Sequence, residues 1–143
     1  MGIVEDLGGQ KVYLDTNVFI YAVEAVEEYA AAIESLFGLI EEGQVKACTS
    51  ELALAEALAK PFEIGRDDIA QIYNAMVTPS VWLSVLAVSR PILIEAARLQ
   101  ARLRMRLPDA IHVASALAAD CTALLSNDRR IKAPDGLKLV RMR

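Results

Sequence analysis

Residues 11–22 read KVYLDTNVFIYA: a four-residue apolar run, a break at Asp15, and a stretch with helical spacing. KVYL has the β-branched and aromatic character of a buried strand, and an aspartate directly behind it ends the run and can turn the chain into a helix. The same alternation recurs outward from this point. QVKAC, VWLSVLAV, TALLS and LKLVRM read as four further strands. Between them NVFIYAVE and YAAAIESLFGLIEEG read as helices, with Gly43 as a stop. ELALAEALAK follows as a helix capped by Ser50 and ended by Pro61, and another runs from Gly65-Arg-Asp-Asp to Met76. Two more span Ile92–Arg104 and Asp109–Asp120. A short helical turn is expected at Asp128–Ile131, a turn at Pro134-Asp135-Gly136, and a flexible start at Gly8-Gly9. Strands alternating with helices imply an α/β fold around a parallel sheet covered on both faces. With no repeat or linker, residues 1–143 are read as one domain.

Composition narrows the function classes. At 143 residues, 55% of them hydrophobic, the chain is expected to bury a sizeable core. No apolar run approaches the ~18–20 residues of a membrane span, and MGIVEDLGGQ has neither a basic leader nor a long apolar one. Cys48 and Cys121 are read as buried small hydrophobes in a reducing cytoplasm. No CxxC pair or histidine cluster suggests structural zinc. A net charge of −4 argues against coating nucleic acid by charge alone, but many arginines fall in the C-terminal half, a pattern suited to a polyanion or an acidic partner.

Four acidic residues stand apart from the rest. Asp15 and Asp128 each follow the apolar part of a strand, Glu56 lies on the helix after the second strand, and Asp109 opens a helix after Pro108. Ligands of open parallel sheets gather outside the carboxyl ends of the strands, so all four are expected near one point. Each has an ordinary explanation as well: an Asx turn or cap at Asp15 and Asp128, an i,i+4 pair of Glu56 with Lys60, a favourable helix-start charge at Asp109. Glu56 fits its ordinary role least, because it is flanked by alanine and leucine throughout LALAEALA. A buried carboxylate needs a cation or donors to compensate it. Carboxylates grouped without cysteine or histidine ligands suit a hard divalent ion.

Taken in order, the four contexts resemble the motifs of the PIN-domain ribonucleases, and the length resembles the VapC-type toxins of toxin–antitoxin pairs. DTNVFIYA is similar to the first motif, TSELALAE to the second, LPDAIHVASALAADC to the third and LLSNDRRI to the fourth. The resemblance runs from about residue 12 to the end and is least distinctive between Pro61 and Arg90. It implies a three-layer α/β/α sandwich with a central parallel sheet. It also implies Mg²⁺ or Mn²⁺ held by Asp15, Glu56, Asp109 and Asp128, and hydrolysis of RNA phosphodiester bonds. In that scheme Asp15 and Asp109 are direct ligands, Glu56 a ligand or outer base, and Asp128 a ligand through water or at a second ion. Thr16, Asn17, Ser126 and Asn127 orient carboxylates, water or phosphate.

The remaining polar residues carry weaker signals. His112, the single histidine, lies three residues beyond Asp109 on the same helical face and is read as packed rather than functional. Arg98, Arg102, Arg104 and Arg106 are candidates for RNA phosphates. The aromatic residues are too scattered for a stacking platform. The apolar stretches YAAAIESLFGLI and LALAEALAKPFEI suggest covered surface, and the resemblance implies a homodimer and a small antitoxin across these helices. Two alternatives remain: a PIN nuclease of RNA processing without an antitoxin, and a catalytically idle PIN-like module binding RNA or protein. An aspartyl phosphatase is disfavoured because DTN lacks a second aspartate two residues on.

Overall fold

A computed structural model describes residues 3–142. Five parallel strands form one sheet: β1 (Lys11–Leu14), β2 (Lys46–Ser50), β3 (Leu83–Leu86), β4 (Ala123–Leu125) and β5 (Lys138–Val140). Their order is β3-β2-β1-β4-β5. The chain therefore steps from the centre to one edge, then returns to fill the other side. Between strands lie α1 (Thr16–Glu24), α2 (Ala30–Glu41), α3 (Glu51–Glu63), α4 (Asp67–Met76), α5 (Arg90–Leu103) and α6 (Leu107–Ala118). Right-handed crossovers that run in opposite directions from a central strand put their helices on opposite faces.

Side-chain alternation along the strands divides the core accordingly. Val12, Leu14, Ala47, Ala123 and Leu125 pack with Val18, Phe19, Ile33, Leu36, Ala53 and Tyr73 of α1–α4. The residues between them, Tyr13, Cys48 and Leu124, point the other way and pack with Ile92, Ala96 and Leu99 of α5 and Ala110, Val113 and Ala114 of α6. Register confirms the alternation, with Tyr13 opposite both Cys48 and Leu124. Helices, sheet and helices form the expected α/β/α sandwich. Its small-residue helix α6, rich in alanine, lies close on the sheet because it has little side chain to hold it away. Among the described residues, no helix is long and apolar enough to cross a membrane.

Several local expectations need correction. Ahead of Gly8-Gly9, residues Ile3–Leu7 form a 3₁₀ turn that buries Val4 and Leu7. Pro61 does not end α3, which continues to Glu63 with the proline ring buried. In the last turn its missing N–H costs one bond, and Pro61 O still accepts from Arg66 N at 2.8 Å. The third strand is shorter than VWLSVLAV, because Val81 and Trp82 lie exposed beyond the sheet edge. Asp128–Ile131 is a single hydrogen-bonded turn rather than helix, and α6 begins two residues before Asp109. Both cysteines are buried free thiols whose Sγ atoms face each other at 2.8 Å.

Helix α1 ends on Ala25, an exposed alanine in the left-handed region at φ 52° and ψ 49°. That conformation costs an L-residue roughly 1–2 kcal/mol, and glycine loses roughly 0.5–1 kcal/mol more chain entropy than alanine on folding. Ala25→Gly is accordingly expected to stabilise the protein by up to ~1 kcal/mol. A urea midpoint that falls in the variant would contradict this account of the cap.

Candidate metal centre

Reversal of strand order between β1 and β4 opens a crevice at their carboxyl ends, and Asp15 stands in it. Its backbone N–H continues the sheet by donating to Leu125 O at 3.1 Å. Its side chain caps α1, with Oδ1 accepting from Thr16 N at 2.7 Å, while Oδ2 accepts from Ser126 Oγ at the end of β4. Both oxygens are thereby aimed by the two strands. Burial pushes this carboxyl up from its ordinary value, against the opposing pull of His112, Ser126 and the Thr16 amide.

Glu56 reaches the same place from α3. Its Oε1 accepts from Thr16 Oγ1 at 2.6 Å and lies 2.6 Å from His112 Nε2. Burial raises the Glu56 carboxyl, but the hydrogen bonds from His112 and Thr16 outweigh it and hold the group below its ordinary value. His112 Nε2 also lies 3.4 Å from Asp15 Oδ1. Ligand atoms of Asp15, Glu56 and His112 are all within 4.8 Å of one another.

His112 is thus an interior member of the site, 1% exposed. Sequence reading set it aside as packing. Its spacing from Asp109 gave the helical face but not what that face meets. The imidazole is held on its far side by Tyr13, whose hydroxyl lies 2.7 Å from Nδ1 and donates to Ser50 Oγ at 2.9 Å. The two rings meet edge to face, 5.6 Å apart. Tyr13, inside KVYL, reads as strand core, and Ser50, expected to cap α3, makes no side-chain cap bond because its hydroxyl is engaged with Tyr13.

The other two acids form an outer group, joined by arginine. Arg106 caps α6 and grips Asp109 with both arms, Nε to Oδ2 at 3.0 Å and Nη2 to Oδ1 at 3.1 Å. Nη2 also reaches Asp128 Oδ2 at 3.4 Å. Asp109 is buried while the arginine is about half exposed. Asp128 accepts in addition from the Arg130 backbone and guanidinium, at 2.9, 3.1 and 3.2 Å. Burial raises the Asp128 carboxyl, but these Arg130 contacts and the Arg106 charge hold it below its ordinary value. Arg106 feels Glu56 as well as Asp109 and Asp128, so one guanidinium links the outer pair electrostatically to the inner one.

Of the supporting residues, Thr16 and Ser126 touch the carboxylates directly. Asn127 turns away: its Oδ1 accepts from Met142 N at 2.9 Å and ties the chain end to the β4 loop. Asn17 carries a buried Oδ1 without a hydrogen-bond partner. Arg141 braces the same loop by donating to the carbonyls of Ser126 and Asp128 at 2.8 and 2.9 Å.

Burial lowers the His112 imidazole, but the Glu56 hydrogen bond and the Asp15 charge prevail and raise it above its ordinary 6.5. A raised folded value contributes stability that is fully present below the unfolded value and is lost as pH rises through the folded one. In metal-free protein the single imidazole resonance is expected to titrate above 6.5 and to move downward in Glu56→Gln. An unchanged midpoint in that variant would sink the pairing.

The fold has relatives among solved structures. A chain of the VapBC2 complex from Rickettsia felis, solved with a DNA fragment from its promoter, superposes with a TM-score of 0.71 at 17% identity, covering 92% of this chain and 98% of that one. DNA-bound VapBC from Salmonella typhimurium gives 0.72 at 18% identity, covering 94% and 99%. Mycobacterium tuberculosis VapC20, described as a sarcin-ricin loop cleaving toxin, gives 0.67 at 15% identity, covering 82% and 91%. At these identities the likeness is one of fold. No curated protein matches the sequence. The PIN domain family matches residues 12–137. A match that takes in Asp15, Glu56, Asp109 and Asp128 together makes this chain a member of the PIN domain family.

Proposed function

We propose that the protein is a divalent-metal-dependent endoribonuclease, the toxin of a type II toxin–antitoxin pair. The observation that carries this reading is the inner cluster: two carboxylates from separate elements, Asp15 and Glu56, converge at the strand switch point with ligand atoms within 4.8 Å. Structural ion pairs do not need such convergence, and a buried carboxylate such as Asp15 is costly to retain unless something compensates it.

The donor set fits a hard cation of the magnesium or manganese type, held by Asp15 and Glu56. Asp109 and Asp128 complete the acidic set, directly or through water, when Arg106 turns from them to a phosphate oxygen. Bound there, the ion would neutralise phosphate charge and activate a water for attack on phosphorus. Ser126 and the Thr16 amide fix the Asp15 carboxylate, so that its orientation needs no rearrangement during reaction. Thr16 Oγ1 gives the Glu56 carboxylate a single bond, at Oε1. Arg106 and Arg130, both more than half exposed, offer planar forks for the backbone of an RNA strand.

The toxin assignment is supported by family membership and by the toxin–antitoxin complexes among the structural neighbours. Exposed apolar residues mark a surface for a partner: Phe62 at 61%, Ile64 at 53% and Ile72 at 50%, on and beside the α3–α4 pair that carries Glu56. An antitoxin segment covering them would lie along the helix that carries Glu56. A homodimer and a cytoplasmic setting complete this reading.

The deciding experiment is cleavage of a mixed RNA pool by purified protein in Mn²⁺, Mg²⁺ or EDTA. Cleavage is expected with metal, none in EDTA, and a loss of more than ~100-fold in Asp15→Asn, beyond the usual effect of removing an outer partner. No cleavage by folded, metal-loaded protein would favour the idle binding module instead.

A further inference from the structure

We propose that His112 is itself a ligand of the divalent ion, through Nε2, making the site a mixed nitrogen–oxygen centre that prefers manganese(II) to magnesium. The inference rests on the metal-dependent reading above and adds to its carboxylates a donor of a different chemical kind.

Geometry supplies the first argument. Donors bound at about 2.0–2.2 Å and at right angles on one ion lie about 3 Å apart. Nε2 is 3.4 Å from Asp15 Oδ1 and 2.6 Å from Glu56 Oε1, which brackets that separation. The closer pair opens readily, because the Glu56 side chain is 35% exposed whereas the imidazole is 1% exposed. An ion entering between the two carboxylates therefore meets Nε2 without any movement of α6.

The hydrogen-bond chain behind the ring supplies the second, independent argument. Tyr13 OH bridges Nδ1, at 2.7 Å, and Ser50 Oγ, at 2.9 Å, so Nδ1 is engaged inside the core. Nε2 is then the atom left to face the cluster, holding a proton in the absence of metal and a lone pair in its presence. Ligating histidines are characteristically fixed in this way, with the distal N–H given to an outer acceptor. Tyr13 and Ser50 are both 0% exposed.

Donor chemistry supplies the preference. Imidazole suits first-row transition metals, whereas magnesium keeps to oxygen and to water. Carboxylates alone would discriminate little between Mg²⁺ and Mn²⁺, and one nitrogen shifts the balance toward manganese.

The test exploits the fact that the chain has one histidine. Protein loaded with Mn²⁺ alone is studied by pulsed electron paramagnetic resonance, unlabelled and after [¹⁵N]histidine incorporation. The expected result is nuclear modulation from one directly bound imidazole nitrogen, converted to the ¹⁵N pattern by the label. His112→Gln is expected to lose the coupling and to weaken Mn²⁺ binding by more than ~100-fold, beyond the effect of removing an outer partner, with a smaller effect on Mg²⁺. The labelled unmutated protein answers the question even where the variant folds poorly. Bound Mn²⁺ without nitrogen coupling overturns the ligand role and leaves the carboxylate site standing. Failure of the protein to bind Mn²⁺ overturns this proposal together with the metal-dependent reading beneath it.

Discussion

Burial of the Asp15 carboxylate is the constraint on which the rest of the site depends. Removing a charged group from water costs on the order of several kcal/mol unless neighbours replace the lost solvation. Here the replacements come from three places in the chain: the Thr16 amide at the start of α1, Ser126 at the end of β4 and His112 of α6. The Thr16 amide is local, but Ser126 and His112 are usable only if β1 and β4 are neighbours and α6 crosses behind them. The carboxylate therefore sits where the sheet reverses its order, which is also where a parallel sheet leaves a crevice open to ligand.

Charge in the site is arranged as two coupled groups. The inner one pairs Asp15 and Glu56 with the His112 imidazole and the Thr16 hydroxyl. The outer one pairs Asp109 and Asp128 with Arg106 and Arg130. The difference in exposure matters. The inner cation is a buried ring on a helix packed against the sheet, whereas the outer cations are long side chains largely in solvent. The exposed Arg130 fork can leave Asp128 at small cost, whereas Arg106 compensates the buried Asp109 and can leave it only when another cation takes its place. Withdrawal from the inner group requires something to replace it.

Much of this was legible in the sequence, for reasons that can be stated. The parallel sheet follows from short apolar runs alternating with helical periodicity, and the strands that carry Asp15 and Asp128 end where apolar character ends. Local chemistry misled at Pro61, because a buried ring in a last helical turn gives back in packing what it removes in hydrogen bonding. It misled again at Asp128, whose side chain accepts from the Arg130 amide two residues on and so closes a turn instead of opening a helix. The strand order was not legible, since pairing depends on contacts between segments more than 30 residues apart, such as Tyr13 with Cys48 and with Leu124.

His112 shows why a site is harder to read than a fold. Its i,i+3 relation to Asp109 suggested a shared face, yet the two residues do different things on that face: Asp109 turns outward to Arg106, and His112 turns inward to Glu56. What separates them is supplied by other elements, Tyr13 from β1, Ser50 from β2 and Glu56 from α3, and no spacing within LPDAIHVASA encodes those partners. The same dependence explains why the tyrosine matters. A hydroxyl in the middle of a sheet must find a hydrogen-bond partner or impose a desolvation cost. Its two partners, Ser50 and the His112 ring, lie toward the carboxyl edge of the sheet. Satisfying one core hydroxyl thus fixes which nitrogen of the histidine faces the acids, and packing and site chemistry are settled by the same three residues.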